Sequence, residues 1–323
     1  MTPCSKQTTK GVLYDVFQVN WKSLGMIAGV SLSLIAAGCG QENIDDTADS
    51  GEDQTETISI SEKVDYTITG IEPGAGITQA TDNALEEYEN LAGWEQINSS
   101  TVAMLSELDD AIQNEEPIIV TGWSPHFKFA KYDLKYLEDP RGVYRDVEYI
   151  STIVRKGLKE DMPEAYTILD RFHWEPADME EVMLAAQEME FEDAARQWVD
   201  ENQDKVDEWT EGVEPVDGTS IELVLTPWDT ERSSAHVAKI VLEQMGYEVK
   251  LTPVDPSIMF QAIAKGDGDA SLAPWMPATH AAFYEKYEGE FEDLGENLRG
   301  ARIGLVVPSY MNIDSIEDLE PAE

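Results

Sequence analysis

Three apolar runs of this chain each end in a tryptophan followed by a turn: IIVTGWSP at Trp123, ELVLTPWDT at Trp228 and SLAPWMP at Trp275. A short run of β-forming residues, stopped by Pro, Ser or Asp ahead of a helix-like stretch, reads as a strand whose connection to the next strand is helical. Its last ring then stands at the carboxyl edge of a sheet, where open α/β sheets bind ligands. Three indole faces meeting there suit a small organic cation that ordinary hydrogen bonds cannot hold. The alternative for each ring is that it caps a hydrophobic core.

The same alternation runs through the rest of the chain. Strands are predicted at 66–71, 117–123, 149–155, 221–228, 247–254, 270–275 and 303–310. Between them lie TVAMLSELDDAIQ, PEAYTILDRF, MEEVMLAAQEM and AHVAKIVLEQMG, with apolar residues at helical spacing and Gly246 closing the last. Strands alternating with helices predict an α/β fold with largely parallel sheets. Two halves are visible, one up to about Asp217 and one opening at IELVLTPW. The charged helical segment FEDAARQWVDENQDKVDEWTEG is expected to lie across the surface between them. Its Trp198 and Trp209, eleven residues apart on one helical face, read as core, as do Trp94 and Trp174, which lack the strand-end context.

The amino-terminal stretch is organised differently. Lys6, Lys10 and Lys22 make a basic leader with one acid, Asp15, and the apolar run 24–37 follows, ending in Gly38, Cys39 and Gly40. That run is short for a membrane span and has the form of a signal-peptide core. Small residues directly before Cys39 resemble a lipoprotein signal in which the cysteine becomes the lipidated first residue. Ala36 stands where such signals usually carry Leu. A plain secretory signal is the competing reading. The sequence is thus divided into a signal peptide (1–38) and an acidic tether (39–57), which holds almost no aliphatic side chain and buries nothing.

Chemistry-bearing patterns are few. The turn IEPGAGIT leads into the helix-like QATDNALEEYENL, so the amides of Gly76 and Ile77 are the natural donors for an anionic group at a helix start. It is not a phosphate fingerprint, since neither GxGxxG nor GxxxxGK is present. Of the four histidines, His126, His173, His236 and His280, none makes an HExxH or close-paired metal pattern. His280 follows Trp275 by five residues and is expected at the same edge, whereas His236 falls inside an amphipathic helix. No nucleophile-elbow sequence occurs, and Cys4 and Cys39 build neither a disulfide framework nor a metal site. No cofactor and no metal is expected.

The runs GIEPGAGIT, IIVTGWSPHFKFAKYDLKYLEDP, LVLTPWDTE, LAPWMPATHAAFYEKY and IGLVVPSYMNIDSIEDL together resemble the glycine betaine-binding lipoproteins of ABC importers, the OpuAC type, over essentially all of 58–320. The resemblance implies a type II, two-lobe periplasmic-binding-protein-like fold with permuted halves and a ligand cleft between the lobes. Lobe 1 is then 58–147 plus 311–323 and lobe 2 is 148–310, with YISTIVR and IGLVVPSY crossing between them. It further implies an aromatic prism of Trp123, Trp228 and Trp275 around a trimethylammonium group, with the carboxylate on the amides of Gly76 and Ile77 and on His280. The implied protein is an extracytoplasmic, lipid-anchored monomer, not an enzyme. It hands glycine betaine or proline betaine to the membrane subunits of an ABC transporter for osmoprotection. A choline or carnitine receptor and an enzyme on the same fold are the alternatives. Phe127, where relatives often carry Trp, and the prolines before Trp228 and Trp275 depart from the usual pattern and bear on fine specificity.

The charge balance adds a constraint of its own. Lys and Arg number 22 against 65 Asp and Glu, a net charge of −43 on 323 residues. Such a surface repels nucleic acid and anionic membrane faces but leaves a zwitterion unaffected. Its self-repulsion opposes compaction at low ionic strength and is screened over about 3 Å in molar salt. We read this as adaptation to concentrated salt or alkaline brine, the alternative being an ordinary acidic secreted protein. The expected outcome is a urea-unfolding midpoint that rises from low salt to molar NaCl; an unchanged midpoint favours the alternative.

Overall fold

The computed structural model describes residues 58–322 with the exception of Asp146. The signal peptide and the whole tether, Cys39 included, lie outside the described residues. The first half comprises α1 (Ile60–Lys63), β1 (Thr67–Thr69), α2 (Gly76–Glu87), β2 (Glu95–Ile97), α3 (Thr101–Asn114), β3 (Val120–Ser124), α4 (Lys128–Lys131) and β4 (Leu134–Tyr136). The second opens with β5 (Glu148–Arg155), followed by α5 (Leu158–Asp161), α6 (Pro163–Arg171), α7 (Pro176–Ala185), α8 (Phe191–Glu201) and α9 (Gln203–Thr210). It continues with β6 (Thr219–Leu225), α10 (Asp229–Gln244), β7 (Tyr247–Pro253), α11 (Pro256–Lys265), β8 (Ala270–Ser271), β9 (Trp275–Met276), α12 (Ala281–Lys286) and β10 (Phe291–Pro308). None of these helices is long and apolar enough to cross a membrane.

Ten strands among the described residues share the order β2-β1-β3-β10-β5-β8-β6-β7, with β4 beside β10 and β9 beside β5. β1 pairs in parallel with β2 and β3, and β6 with β7 and β8, as helical crossovers require. The sheet is nevertheless mixed: β10 runs antiparallel to β3, β4 and β5, and β5 antiparallel to β8 and β9. β10 is 18 residues long, pairing with β5 through Ala301 and with β3 from Arg302 onward. Register shifts lie between Asp293 and Gly295, Glu296 and Leu298, and Arg299 and Ala301. Gly295 and Gly300 fall in these irregular stretches at φ 96° and 88°, a backbone region that side chains resist. These bulges bend one strand to serve both parts of the sheet. The crossing strand of the sheet is therefore β10 alone, since β5 bonds only within the second part. The hydrogen-bond partners change at 301–302, nine residues before the expected boundary at 310–311. Beyond β10 the chain returns to the first half, where Met311, Ile316 and Leu319 are buried and Trp94 Nε1 donates to the Glu320 carbonyl at 2.8 Å.

Each parallel unit is built by local rules. Ser100 caps α3 by accepting the Ala103 N–H at 3.1 Å, and Met104, Leu108 and Ala111 form its buried stripe against the sheet. Burying each of the larger pair contributes about 1.5–3 kcal/mol. The charged segment expected between the halves is two helices, α8 and α9, which break at Asn202 and pack on α6, α7 and α10 of the second half. Trp198 and Trp209 stack there at 6.1 Å with Trp174 edge-on to Trp198, all three buried. The predicted strand 270–275 is two short strands. Pro274 lacks the N–H a continuous ladder needs, and its carbonyl takes the Ser151 N–H instead.

Helix α10 stops where the chain must turn back into β7. Gly246 sits at φ 90°, and a Cβ there would lie 2.0 Å from the Val216 carbonyl oxygen. Gly246→Ala therefore combines left-handed strain with a backbone collision and should cost about 2–4 kcal/mol of stability, read as a lowered urea midpoint.

Candidate functional site

Strand β1 ends at Thr69, and the chain turns through Pro73 and Gly74 into α2. The N-cap, Ala75, has no side chain to satisfy the first amides of this helix, so those of Gly76 and Ile77 are open donors at its positive end. Gly76 is dictated by proximity rather than by backbone torsion. A Cβ on it would sit 2.4 Å from both Cγ2 and the carbonyl oxygen of Thr279. The loop carrying Thr279 is held by Glu148, which is buried at the start of β5 and accepts the Ala278 and Thr279 amides at 2.8 Å each, and the Thr279 hydroxyl.

Trp123 is the fourth residue of β3, opposite Ile303 of β10, and is buried. His126 meets it edge-on at 4.8 Å between centroids. Lys128 Nζ lies 4.0 Å from the indole centroid and donates to the Trp123 carbonyl at 3.2 Å. Complete burial holds that amine well below the usual lysine range, only partly offset by Asp229. Trp228 does not end a strand, as predicted for it, because β6 stops at Leu225 and Pro227 cannot extend the ladder. It is instead the half-buried N-cap of α10, with Nε1 donating to Glu72 Oε2 at 3.2 Å. Trp275 lies in β9 opposite Ile150, with Nε1 donating to Glu231 Oε1 at 2.8 Å.

Trp275 and His280 are tied by two reciprocal bonds. The His280 N–H donates to the Trp275 carbonyl at 3.0 Å, and the Trp275 N–H donates to His280 Nδ1 at 3.0 Å. A backbone N–H can only donate, so Nδ1 is unprotonated and Nε2 carries the proton of the neutral ring. Desolvation lowers this imidazole to about 4, so it stays a neutral, one-directional donor across the physiological range.

These pieces surround one cavity, of about 30 Å³, lined by Trp123, Trp228, Trp275, Gly76, Ile77 and His280, the six residues singled out from sequence. Thr230, Glu231 and Thr279 complete its polar wall. Glu231 was quoted in the WDTE run without a role, and the contacts of Glu72, Glu148 and Lys128 were likewise not foreseen. Among 65 acidic residues, single carboxylates carry no sequence signal. Trp94, Trp174, Trp198 and Trp209 lie elsewhere in the core, and His236 bonds the Arg232 carbonyl through Nδ1 inside α10. Among the described residues no cluster of three or more His, Cys, Asp or Glu is arranged to hold a metal ion.

Aromatic faces and fixed N–H donors lining one cavity describe a binding site for a small molecule at the carboxyl ends of sheet strands. Residues 35–201 and 219–323 match the family described as OpuAC, substrate binding domain of ABC-type glycine betaine transport system. The glycine betaine/carnitine transport binding protein GbuC of Listeria monocytogenes is 48% identical over 267 residues, covering 82% of this chain and 89% of that one. Among solved structures, lactococcal OpuAC in a closed, glycine betaine-bound form is 50% identical with a TM-score of 0.44, over 45% of this chain and 58% of that one. The glycine betaine/L-proline-binding protein ProX of Borrelia burgdorferi is 31% identical with a TM-score of 0.44, over 47% and 58%. This chain belongs to the OpuAC family of ABC-transporter substrate-binding domains.

The neutral state of His280 is directly measurable. Its imidazole resonances should stay unprotonated as pH falls through 6.5 and titrate only near 4. The unfolded chain takes up that proton near 6.5, so between about 6.5 and 4 this group lowers stability as pH falls. A histidine NMR titration with all four rings charged by pH 6 would contradict the assignment.

Proposed function

We propose that this protein is the extracytoplasmic receptor of an ABC importer that captures glycine betaine or a closely related methylated zwitterion. The observation that carries the reading is the shared cavity, whose wall holds three indoles, two open helix-start amides and a neutral imidazole. A quaternary ammonium has no N–H, so a protein grips it only by cation–π and dispersion contacts, worth about 0.5–2 kcal/mol per desolvated ring. The carboxylate then lies on the amides of Gly76 and Ile77 and on His280 Nε2, at about 1.5–3 kcal/mol per charge-assisted bond. After association and ordering are subtracted, the sum corresponds to roughly micromolar affinity, about −8 kcal/mol.

In this reading the two parts of the sheet act as lobes that close on the ligand by a hinge movement and present the closed form to the transporter's membrane subunits. Gly76, Ile77 and Trp123 belong to the first lobe, and Trp228, Trp275 and His280 to the second, so the cage is complete only when the lobes meet. Lipidation at Cys39, with 40–57 as a solvated tether, would keep the monomeric domain at the outer face of the cell membrane. The protein binds its ligand and releases it unchanged. GbuC, whose name includes carnitine, supports carnitine as the second ligand, since it shares the trimethylammonium and carboxylate groups.

Calorimetric titration with glycine betaine, proline betaine, carnitine and choline tests the assignment, and a flat response to all four would overturn it. Trp123→Ala should weaken glycine betaine binding by about 10- to 100-fold, since it removes one wall of the cage. His280→Ala should weaken glycine betaine by a similar factor and leave choline, which has no carboxylate, nearly unchanged.

A further inference from the structure

A glutamate is almost never fully buried unless a cation pairs with it. Glu231 is 3% exposed, and no lysine, arginine or histidine among the described residues forms an ion pair with it. Its two oxygens are oriented by neutral donors, Oε1 by Trp275 Nε1–H at 2.8 Å and Oε2 by the Thr230 hydroxyl. Glu231 lines the cavity beside the three indoles. Burial without a counter-ion pushes it up to about 7, with Asp229 adding to the rise.

From this geometry we infer that Glu231 is a specificity-determining residue. Its carboxylate is the counter-charge of the bound cation, and it makes the cage select a permanent positive charge over a neutral group of the same shape. The inference rests on the receptor reading above. The cage rings alone recognise a bulky methylated head by dispersion, which a tert-butyl group supplies equally well. A buried carboxylate adds a Coulomb term that only the ammonium can use, and it acts at short range in a water-poor site. The indole N–H bond to Oε1 serves the same end, since an anionic acceptor makes the Trp275 ring a more negative surface for the cation.

The test compares glycine betaine with 3,3-dimethylbutyrate, its carbon isostere, on the full chain purified in detergent. The selectivity ratio, the dissociation constant of the isostere divided by that of glycine betaine, is read by calorimetry and by displacement. In Glu231→Gln the amide oxygen still accepts the Trp275 N–H, so the ring keeps its support. The ratio should fall at least tenfold, through weaker betaine binding and unchanged or tighter binding of the isostere. Parallel loss of both ligands, or no change in either, would overturn the inference and leave the receptor reading standing. Wild-type protein that binds no betaine would overturn the receptor reading itself. A second measurement needs no variant: between pH 8 and pH 6 the wild-type ratio should fall as Glu231 takes up a proton. The other titratable groups facing it are Asp229 on α10, with Lys128 of α4 behind it, and His280 at the start of α12. His280 stays neutral throughout that interval, and both ligands remain predominantly ionised at their carboxylates. A ratio constant over the interval would overturn the inference equally.

Discussion

Desolvation at one edge of the sheet is the constraint on which the rest of the site depends. Four titratable side chains, His126, Lys128, Glu231 and His280, are almost completely buried there, and burial moves each toward its neutral form. The consequences differ with the partners each side chain finds. His280, fixed through Nδ1, is a neutral donor with one free direction. Lys128 is packed on the face of Trp123, with its Nζ held by the Trp123 carbonyl. Glu231 has donors but no counter-ion, and so retains an unmet demand for positive charge. A water-filled cleft would erase these distinctions by screening.

Geometry delivers those groups to one place through a few close approaches. β10 joins the two parts of the sheet as a single bulged strand, which brings the end of β3 beside the loops that follow β6 and β9. The 277–280 loop, held by Glu148, comes close enough to Gly76 that no side chain fits between them. Trp228 of the second half meanwhile donates its N–H to Glu72 of the first, and Glu72 is itself held by the Thr101 amide and hydroxyl. Trp228 and Trp275 are therefore held by their engaged N–H groups as well as by the packing of their rings.

Much of this was legible in residue order, and the misses have physical reasons. β3, β5, β6 and β7 were foreseen because runs of branched apolar residues next to turn formers have few other solutions. β2 was not, since Glu95–Ile97 is short and largely solvent-facing and shows no apolar alternation. The first two thirds of β10, FEDLGENLRGAR, read as a polar loop because its bulges break the two-residue period. Trp123 and Trp275 stand out as rings followed by turns. His280 was signalled by its distance from Trp275 and by family resemblance, and no pattern distinguishes Glu231, Glu72 or Glu148 from other acids in so acidic a chain.

The sequence by itself determined the α/β alternation, the placement of aromatic rings at strand and helix boundaries, the open amides ahead of α2 and the family. Those features depend on neighbours a few residues apart, which order along the chain states directly. Only the tertiary structure decided which carboxylates face the rings, which histidine nitrogen carries the proton, and where the sheet passes from one half to the other. The carboxylate contacts and the sheet crossing join residues tens to hundreds of positions apart, and the histidine tautomer follows from a turn that folds His280 back onto the Trp275 amide. Glu231 and Trp275 are separated by 44 positions, and Glu72 and Trp228 by 156.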